Sequence, residues 1–288
     1  MASAQVLLGV TPTILAILGS SYTELALLSD VANRPLLSFL LALGSPSVYM
    51  SRAFEYTQPT HLLQDRQGRL RPKAWKGSKL QILLVAEYAV AFAAMANIAT
   101  MNWQLGIYTI CSIWSDNIIA PILWSTLAII AHVMGSVLLR FQIKRINLSE
   151  APRKLEFTLM GLVRSFKRII LEWSHGEFET AHCQRHIHLV GYGERHFVVL
   201  ISWILSTLIV VHVIYGTIVL SSLYFIGPRD ALMVIVRFIA SVLACRIICM
   251  FEIAGLRENT KDIILECDVP ENRIRYWPMA GQLEVIKK

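Results

Sequence analysis

No Walker loop, dinucleotide-binding glycine pattern or Gly-x-Ser-x-Gly elbow occurs in the 288 residues. Their absence removes the nucleotide hydrolases, nicotinamide oxidoreductases and serine hydrolases that depend on those loops. Nor is there an aspartate-rich pair of the kind that holds magnesium pyrophosphate in membrane prenyltransferases, and no cofactor-binding motif stands in its place. Charge is scarce: 16% of residues are charged against 55% hydrophobic, a balance found in polytopic membrane proteins rather than soluble domains. The five cysteines, odd in number and without framework spacing, build no disulfide scaffold. Repeats and low-complexity tracts are absent too. The net charge of +7 would point to nucleic acid in a soluble protein. Here it has a simpler source, because Lys and Arg collect on the cytoplasmic loops of membrane proteins.

What the chain has instead is long apolar runs. Residues 197–226 carry no formal charge and exceed the roughly twenty residues that a helix needs to cross a bilayer core. A tight turn, Gly227-Pro228-Arg229-Asp230, leads into a second run at 231–254 that holds Arg237 and Arg246. A central Arg costs about 2.5–3.5 kcal/mol on insertion, against about 0.3–0.6 returned by each Leu, Ile, Val or Phe. This second helix therefore needs polar partners inside the protein. Four further runs lie at 5–28, 35–50, 80–101 and 117–139. The first is interrupted by Pro12 and Gly19-Ser20-Ser21. No basic residue precedes Arg34, so it reads as a retained helix; the alternative is a cleaved signal peptide. The run at 35–50 is short for a span and is expected to be tilted or re-entrant. On the third run Ala86, Ala89, Ala93, Ala96 and Thr100 form a smooth face that allows close helix approach. Trp103, Tyr108 and Trp114 follow it as an aromatic belt.

These runs predict an all-α polytopic membrane bundle of about six transmembrane helices, five if the first segment is removed. A cytoplasmic loop at 140–196 and a cytoplasmic tail at 257–288 complete it. The segments 51–79, 140–196 and 257–288 hold 23 of the 27 basic residues. Six spans with both termini cytoplasmic satisfy the positive-inside rule, as do five with an outer N-terminus. Within the long loop, residues 154–173 place Leu155, Leu159, Leu162, Phe166, Ile169, Ile170 and Trp173 opposite Arg164, Lys167 and Arg168. That pattern predicts an amphipathic interfacial helix on anionic inner-leaflet lipid; the rival is a helix that recruits protein partners.

Ionisable residues within membrane helices are costly and are candidates for function. Here they are Glu24, Glu87, His132, His212, Arg237, Arg246 and Glu252, with Asn97 as a polar companion. Estimated depths pair Glu87 with Arg246, near His132, and Glu24 with Arg237. Two readings follow: neutralising pairs that hold helices in register, or a polar pathway for protons or a small anion running through His212. Nine residues separate the two arginines, so they lie on opposite helix faces and form no shared stripe. A second cluster, His182, Cys183, His186 and His188, has i,i+4 histidines as metal ligands do. A solvated juxtamembrane histidine segment is the other reading.

At GVTPTILAILGSS, RPLLSFLLALGSP, HVIYGTIVLSSLYFI followed by RDAL, and CRIICMFEIAGL, the chain resembles uncharacterised multi-pass membrane proteins of filamentous fungi. Some of these are encoded beside secondary-metabolite genes. The resemblance implies architecture and source and supplies no catalytic residues. Together with the intramembrane ionisable residues it sets the functional expectation: small-molecule or ion transport, serving a fungal secondary-metabolite pathway. The alternatives are a membrane-embedded accessory or cyclase-like enzyme and a scaffold acting through 154–173.

Overall fold

The computed structural model describes residues 2–49, 62–63, 78–113, 119–146, 177, 180–181, 187–191 and 196–265. The amphipathic segment at 154–173, with Arg164, Lys167 and Arg168, lies outside them. Among the described residues seven helices follow in order: α1 Ala2–Leu18, α2 Tyr22–Asp30, α3 Pro35–Gly44, α4 Ser78–Tyr108, α5 Ile119–Gln142, α6 His196–Ser221 and α7 Pro228–Asn259. α4, α5, α6 and α7 are each long and apolar enough to cross a membrane, and α1 with α2 makes a fifth such unit bent by 47°. Ile82, Val85 and Ile247 are 66–67% exposed, a degree of apolar exposure suited to lipid rather than water. The chain is a helical membrane bundle.

The bundle has two distinct ends. At one, β1 (Ile110–Cys111) pairs with β4 (Leu223–Tyr224) in the α4–α5 and α6–α7 connections. At the other, β2 (Ile143–Ile146), β3 (Ile187–Gly191) and β5 (Thr260–Leu265) form a mixed three-stranded sheet. Its pairs are antiparallel for β2–β3 and parallel for β3–β5. The loop at 140–196 and the tail at 257–288 thus meet in a sheet, with the backbone of His188 between Ile146 and Asp262.

The N-terminal helix starts at the β1/β4 end, opposite to the end reached by α7. Gln5 Nε2 donates to Leu223 O at 3.4 Å, and Gly9 packs on Ser221. The first unit then runs toward the sheet end, where Arg140 Nε lies 2.8 Å from Asp30 Oδ1. Its bend falls at Gly19-Ser20-Ser21. Ser21 caps α2 by accepting from Glu24 N at 3.1 Å, while Ser21 N–H donates to Glu24 Oε2 at 2.9 Å. Such a reciprocal box satisfies two backbone donors at a fresh helix start, so α2 begins anew rather than continuing α1. Asn33, with a left-handed φ of 54°, ends α2; asparagine tolerates that conformation better than most residues. Its turn delivers Arg34 and Pro35 to the start of α3.

α3 is the largest departure from six full spans. With ten residues it covers about half of a bilayer core at 1.5 Å per residue. It enters from the sheet end and stops near mid-depth, beside Cys245 at the middle of α7 and Ala94 at the middle of α4. The chain is back among sheet-end residues by Leu63, which packs in the cluster with Leu139, Ile143 and Leu189. The segment at 35–49 is therefore re-entrant. Glycine makes the wedge possible at two points. A Cβ at Gly44 would lie 2.8 Å from Cys245 Sγ and 3.0 Å from Ala94 Cβ, and one at Gly19 would lie 2.6 Å from Ser47 Oγ. Gly44→Leu is expected to cost about 1–3 kcal/mol through overpacking, read as a lowered melting temperature in detergent. Leu36→Ala, on an exposed position of the same helix, should shift it far less.

Candidate functional site

Polar side chains occupy three levels along the bundle, each built on α7. Nearest the β1/β4 end, Arg237 Nε donates to Asn97 Oδ1 at 2.8 Å, Nη1 to Gln104 Oε1 at 2.9 Å and Nη2 to Thr100 Oγ1 at 3.2 Å. Asn97, Thr100 and Gln104 recur on one face of α4. Asn97 also donates to Arg237 O and Ser241 Oγ, locking the two helices. The expected pairing of Arg237 with Glu24 does not occur.

At mid-depth Glu24 instead takes Arg246, whose Nη1 contacts Glu24 Oε2. Beside them the tip of α3 meets two histidines from the expected set. His212 Nε2 lies 3.3 Å from Pro46 O. A carbonyl oxygen only accepts, so this nitrogen carries the hydrogen and Nδ1 is left as an acceptor. His212 stacks on Trp124, with centroids 5.7 Å apart and ring planes within 8°. Among the described residues, His212 Nδ1 and Trp124 Nε1 are buried with no hydrogen-bond partner, and the His132 ring lies against the Ser47 backbone. Buried polar atoms are normally satisfied, and here unpartnered ones lie against a segment of non-helical backbone, as others do around Arg34. Ser45 and Ser47 add hydroxyls 3.3 Å apart at the same tip, and Tyr49 N–H donates to Ser20 O at 3.2 Å, tying the tip to the α1–α2 bend.

The level nearest the sheet is ionic. Arg34, fully buried, sends Nη1 to Glu87 Oε2 at 3.0 Å and to Glu252 Oε2 at 2.8 Å. Its guanidinium lies 5.6 Å from the centroid of the Tyr88 ring. Glu252 Oε2 also accepts from Ala181 N–H at 3.1 Å. Glu177 accepts from the Tyr88 hydroxyl and from Leu36 N–H. A carboxylate from a distant loop thus caps the start of α3, where Arg34 provides no side-chain cap and the helix dipole favours negative charge.

The expected Glu87–Arg246 pair is replaced by Arg34, which the charge count had placed on the opposite side of the membrane. The physical reason is the direction of the first unit. Since α1 starts at the β1/β4 end, Glu24 falls beside Arg246, and Arg34 falls to the level of Glu87 and Glu252. Likewise His132 lies with His212 and the α3 tip. A signal for this was present in the sequence: moving Arg34 to the sheet end leaves Arg229 as the lone basic residue of the opposite turns. Of the expected metal set, His182, Cys183 and His186 lie outside the described residues. Among the described residues no group of three or more His, Cys, Asp or Glu side chains is placed to hold a metal.

No protein-family profile, curated protein or solved structure matches this chain.

The three arginines differ sharply in what their removal leaves behind. Arg34→Gln strands Glu87 and Glu252 together in a dry interior and is expected to cost about 3–5 kcal/mol. Arg237→Gln removes bonds to neutral groups near the bundle edge and is expected to cost about 0.5–1.5 kcal/mol. Thermal unfolding of the two variants in the same detergent measures the difference.

Proposed function

We propose that this chain is a small-molecule or ion transporter, with its sheet end in the cytoplasm and its pathway passing the His132–His212 level. One observation carries the reading: broken and re-entrant backbone at mid-depth converges on buried polar atoms that lack partners. Backbone of this kind is tolerated at membrane depth where protein buries it or where it lines a cavity, and interrupted helices in transporters place their free polar groups at the substrate. The donor and acceptor set at this level consists of imidazoles, an indole N–H and serine hydroxyls. It suits a neutral or weakly charged solute with hydroxyl or carbonyl groups rather than a strong ion.

Orientation follows from charge. The basic segments 51–79, 140–196 and 257–288 all adjoin the sheet end, which the positive-inside rule makes cytoplasmic. The C-terminal tail is then cytoplasmic and residue 2 lies on the far side, in place of the expectation that both termini share one side. Anionic inner-leaflet lipid is a natural partner for the basic segments.

The runner-up is an embedded accessory or cyclase-like enzyme, and what favours it is a buried acid, Glu87, with one oxygen unpartnered and able to serve as a proton donor. Service to a fungal secondary-metabolite pathway fits either reading. A deletion strain separates them: accumulation of product inside cells supports transport, and loss of product with build-up of its precursor supports the enzyme.

For transport itself, vesicles reconstituted with the protein are loaded in turn with radiolabelled polyols, short-chain organic acids and amino acids. Efflux of at least one class is expected above that of empty vesicles. His132→Ala with His212→Ala should slow it by at least tenfold without loss of folded protein. Unchanged efflux in that variant sinks the assignment of the pathway to this level.

A further inference from the structure

The ionic level near the sheet has a stoichiometry that the mid-depth pair lacks. Glu24 and Arg246 are matched one to one, and the Glu24 carboxylate also accepts from Ser21 N–H. Arg34 faces two carboxylates, and it meets both through a single nitrogen, Nη1, at 3.0 Å and 2.8 Å. The two Oε2 atoms can therefore be no farther apart than those distances laid end to end. Arg34 and Glu252 are fully buried and Glu87 is 5% exposed. Two carboxylates at such separation in a low-dielectric interior do not both ionise against one guanidinium, as paired catalytic carboxylates show.

Among the described residues, the other charged groups around the pair do not supply the missing positive charge. On α4, the Tyr88 hydroxyl is neutral and engaged with Glu177. Glu177, reaching in from the α5–α6 connection, adds negative charge and is already met by Leu36 N–H and that hydroxyl. On α7, Arg246 is taken by Glu24 at mid-depth, and Arg257 directs Nε to Leu62 O at 2.6 Å. Neither arginine reaches Glu87 or Glu252 with an ion pair among those the described residues form.

The two acids are not equivalent. Glu252 Oε2 accepts from both Arg34 Nη1 and Ala181 N–H, a setting that favours the carboxylate. Among the described residues Glu87 accepts from Arg34 alone, while Oε1 of each acid is buried with no partner. A carboxylate stabilised by two N–H donors wins the negative charge over one stabilised by a single donor. We propose that Glu87 is protonated while Glu252 is ionised, so that the pair over Arg34 is a proton-binding site near the sheet end of the bundle. As the coupling ion of the mid-depth pathway this proton rests on the transport reading; as a bound proton it does not. A variant that cannot release it, Glu87→Gln, keeps the neutral form in place.

Infrared spectroscopy of the full chain in lipid nanodiscs at neutral pH tests the proposal directly. The wild-type protein is expected to show a protonated-carboxyl C=O band that shifts on transfer to deuterated water. Glu87→Gln should abolish it, and Glu252→Gln should abolish it too, because Glu87 then has the guanidinium to itself and ionises. Glu24→Gln, which alters the one-to-one pair, should leave the band in place. A band that survives Glu87→Gln overturns the assignment, as does its absence from the wild type, including the case where sodium restores charge balance and thermal stability depends on it. The wild-type measurement stands even if a variant fails to fold. A band with no vesicle efflux leaves the proton site standing and the transport reading failed, whereas efflux with no band does the reverse.

Discussion

A guanidinium buried away from water holds whatever can accept from it, and Arg34 is where this bundle is tied together. It sits at the junction of α2 and α3, yet its acceptors belong to α4 and α7. A single side chain thus fixes the re-entrant segment against two spans. Glu177 adds a second tie by capping α3 through Leu36 N–H and binding Tyr88. A ten-residue helix cannot hold itself at membrane depth by hydrophobicity alone, since burying its end exposes backbone groups to hydrocarbon. Ionic anchoring at the base, glycine-mediated packing at Gly44 and the histidine contact at Pro46 O together answer that requirement.

The same anchoring explains why the first unit is broken. The α3 tip needs space at mid-depth, and a straight helix through residues 19–21 would occupy it. At the bend, Gly19 lets Ser47 approach to a distance that no Cβ permits, and Ser20 O becomes an acceptor for Tyr49 N–H. The capping box at Ser21 and Glu24 restarts the helix, and Glu24 simultaneously neutralises Arg246. One carboxylate serves as a local helix cap and as a long-range ion pair. This is how an arginine in the middle of α7 is tolerated.

The class of fold and the long spans were legible because hydropathy over twenty residues is a strong signal: α4 to α7 fall where the apolar runs lie. Short features were only half legible. The run at 35–50 was recognisably short, and the Gly19-Ser20-Ser21 interruption was visible, but neither gives the direction of the chain. The pairings failed partly for that reason: reversing the first unit moved Glu24 from Arg237 to Arg246 and brought Arg34 to Glu87. Depth misled as well, because α7 runs to Asn259, past the expected end at 254, and so sets Arg246 deeper than Glu87. The sheet of β2, β3 and β5 pairs residues as distant as Ile146 with His188 and Leu189 with Ile263, and no local periodicity encodes such pairing. The orphaned nitrogens at His212 and Trp124 likewise depend on which backbone reaches mid-depth, a property of the packed chain rather than of any one helix.

Along α7 the polar levels form a graded series. Arg237 is met by neutral acceptors, Arg246 by one carboxylate, and Arg34 beside Glu252 by two. Carboxylates per arginine rise from none to one to two between the β1/β4 end and the sheet end. A uniform ladder of neutral pairs would serve helix registry equally well, so registry alone does not account for the gradient. A guanidinium held by neutral acceptors at one end and a carboxyl pair over a single guanidinium at the other give the interior a direction. In an environment of low dielectric such fixed charges act over longer distances than they do in water. The mid-depth histidines lie between the two, in the position where a mobile charge would sense both.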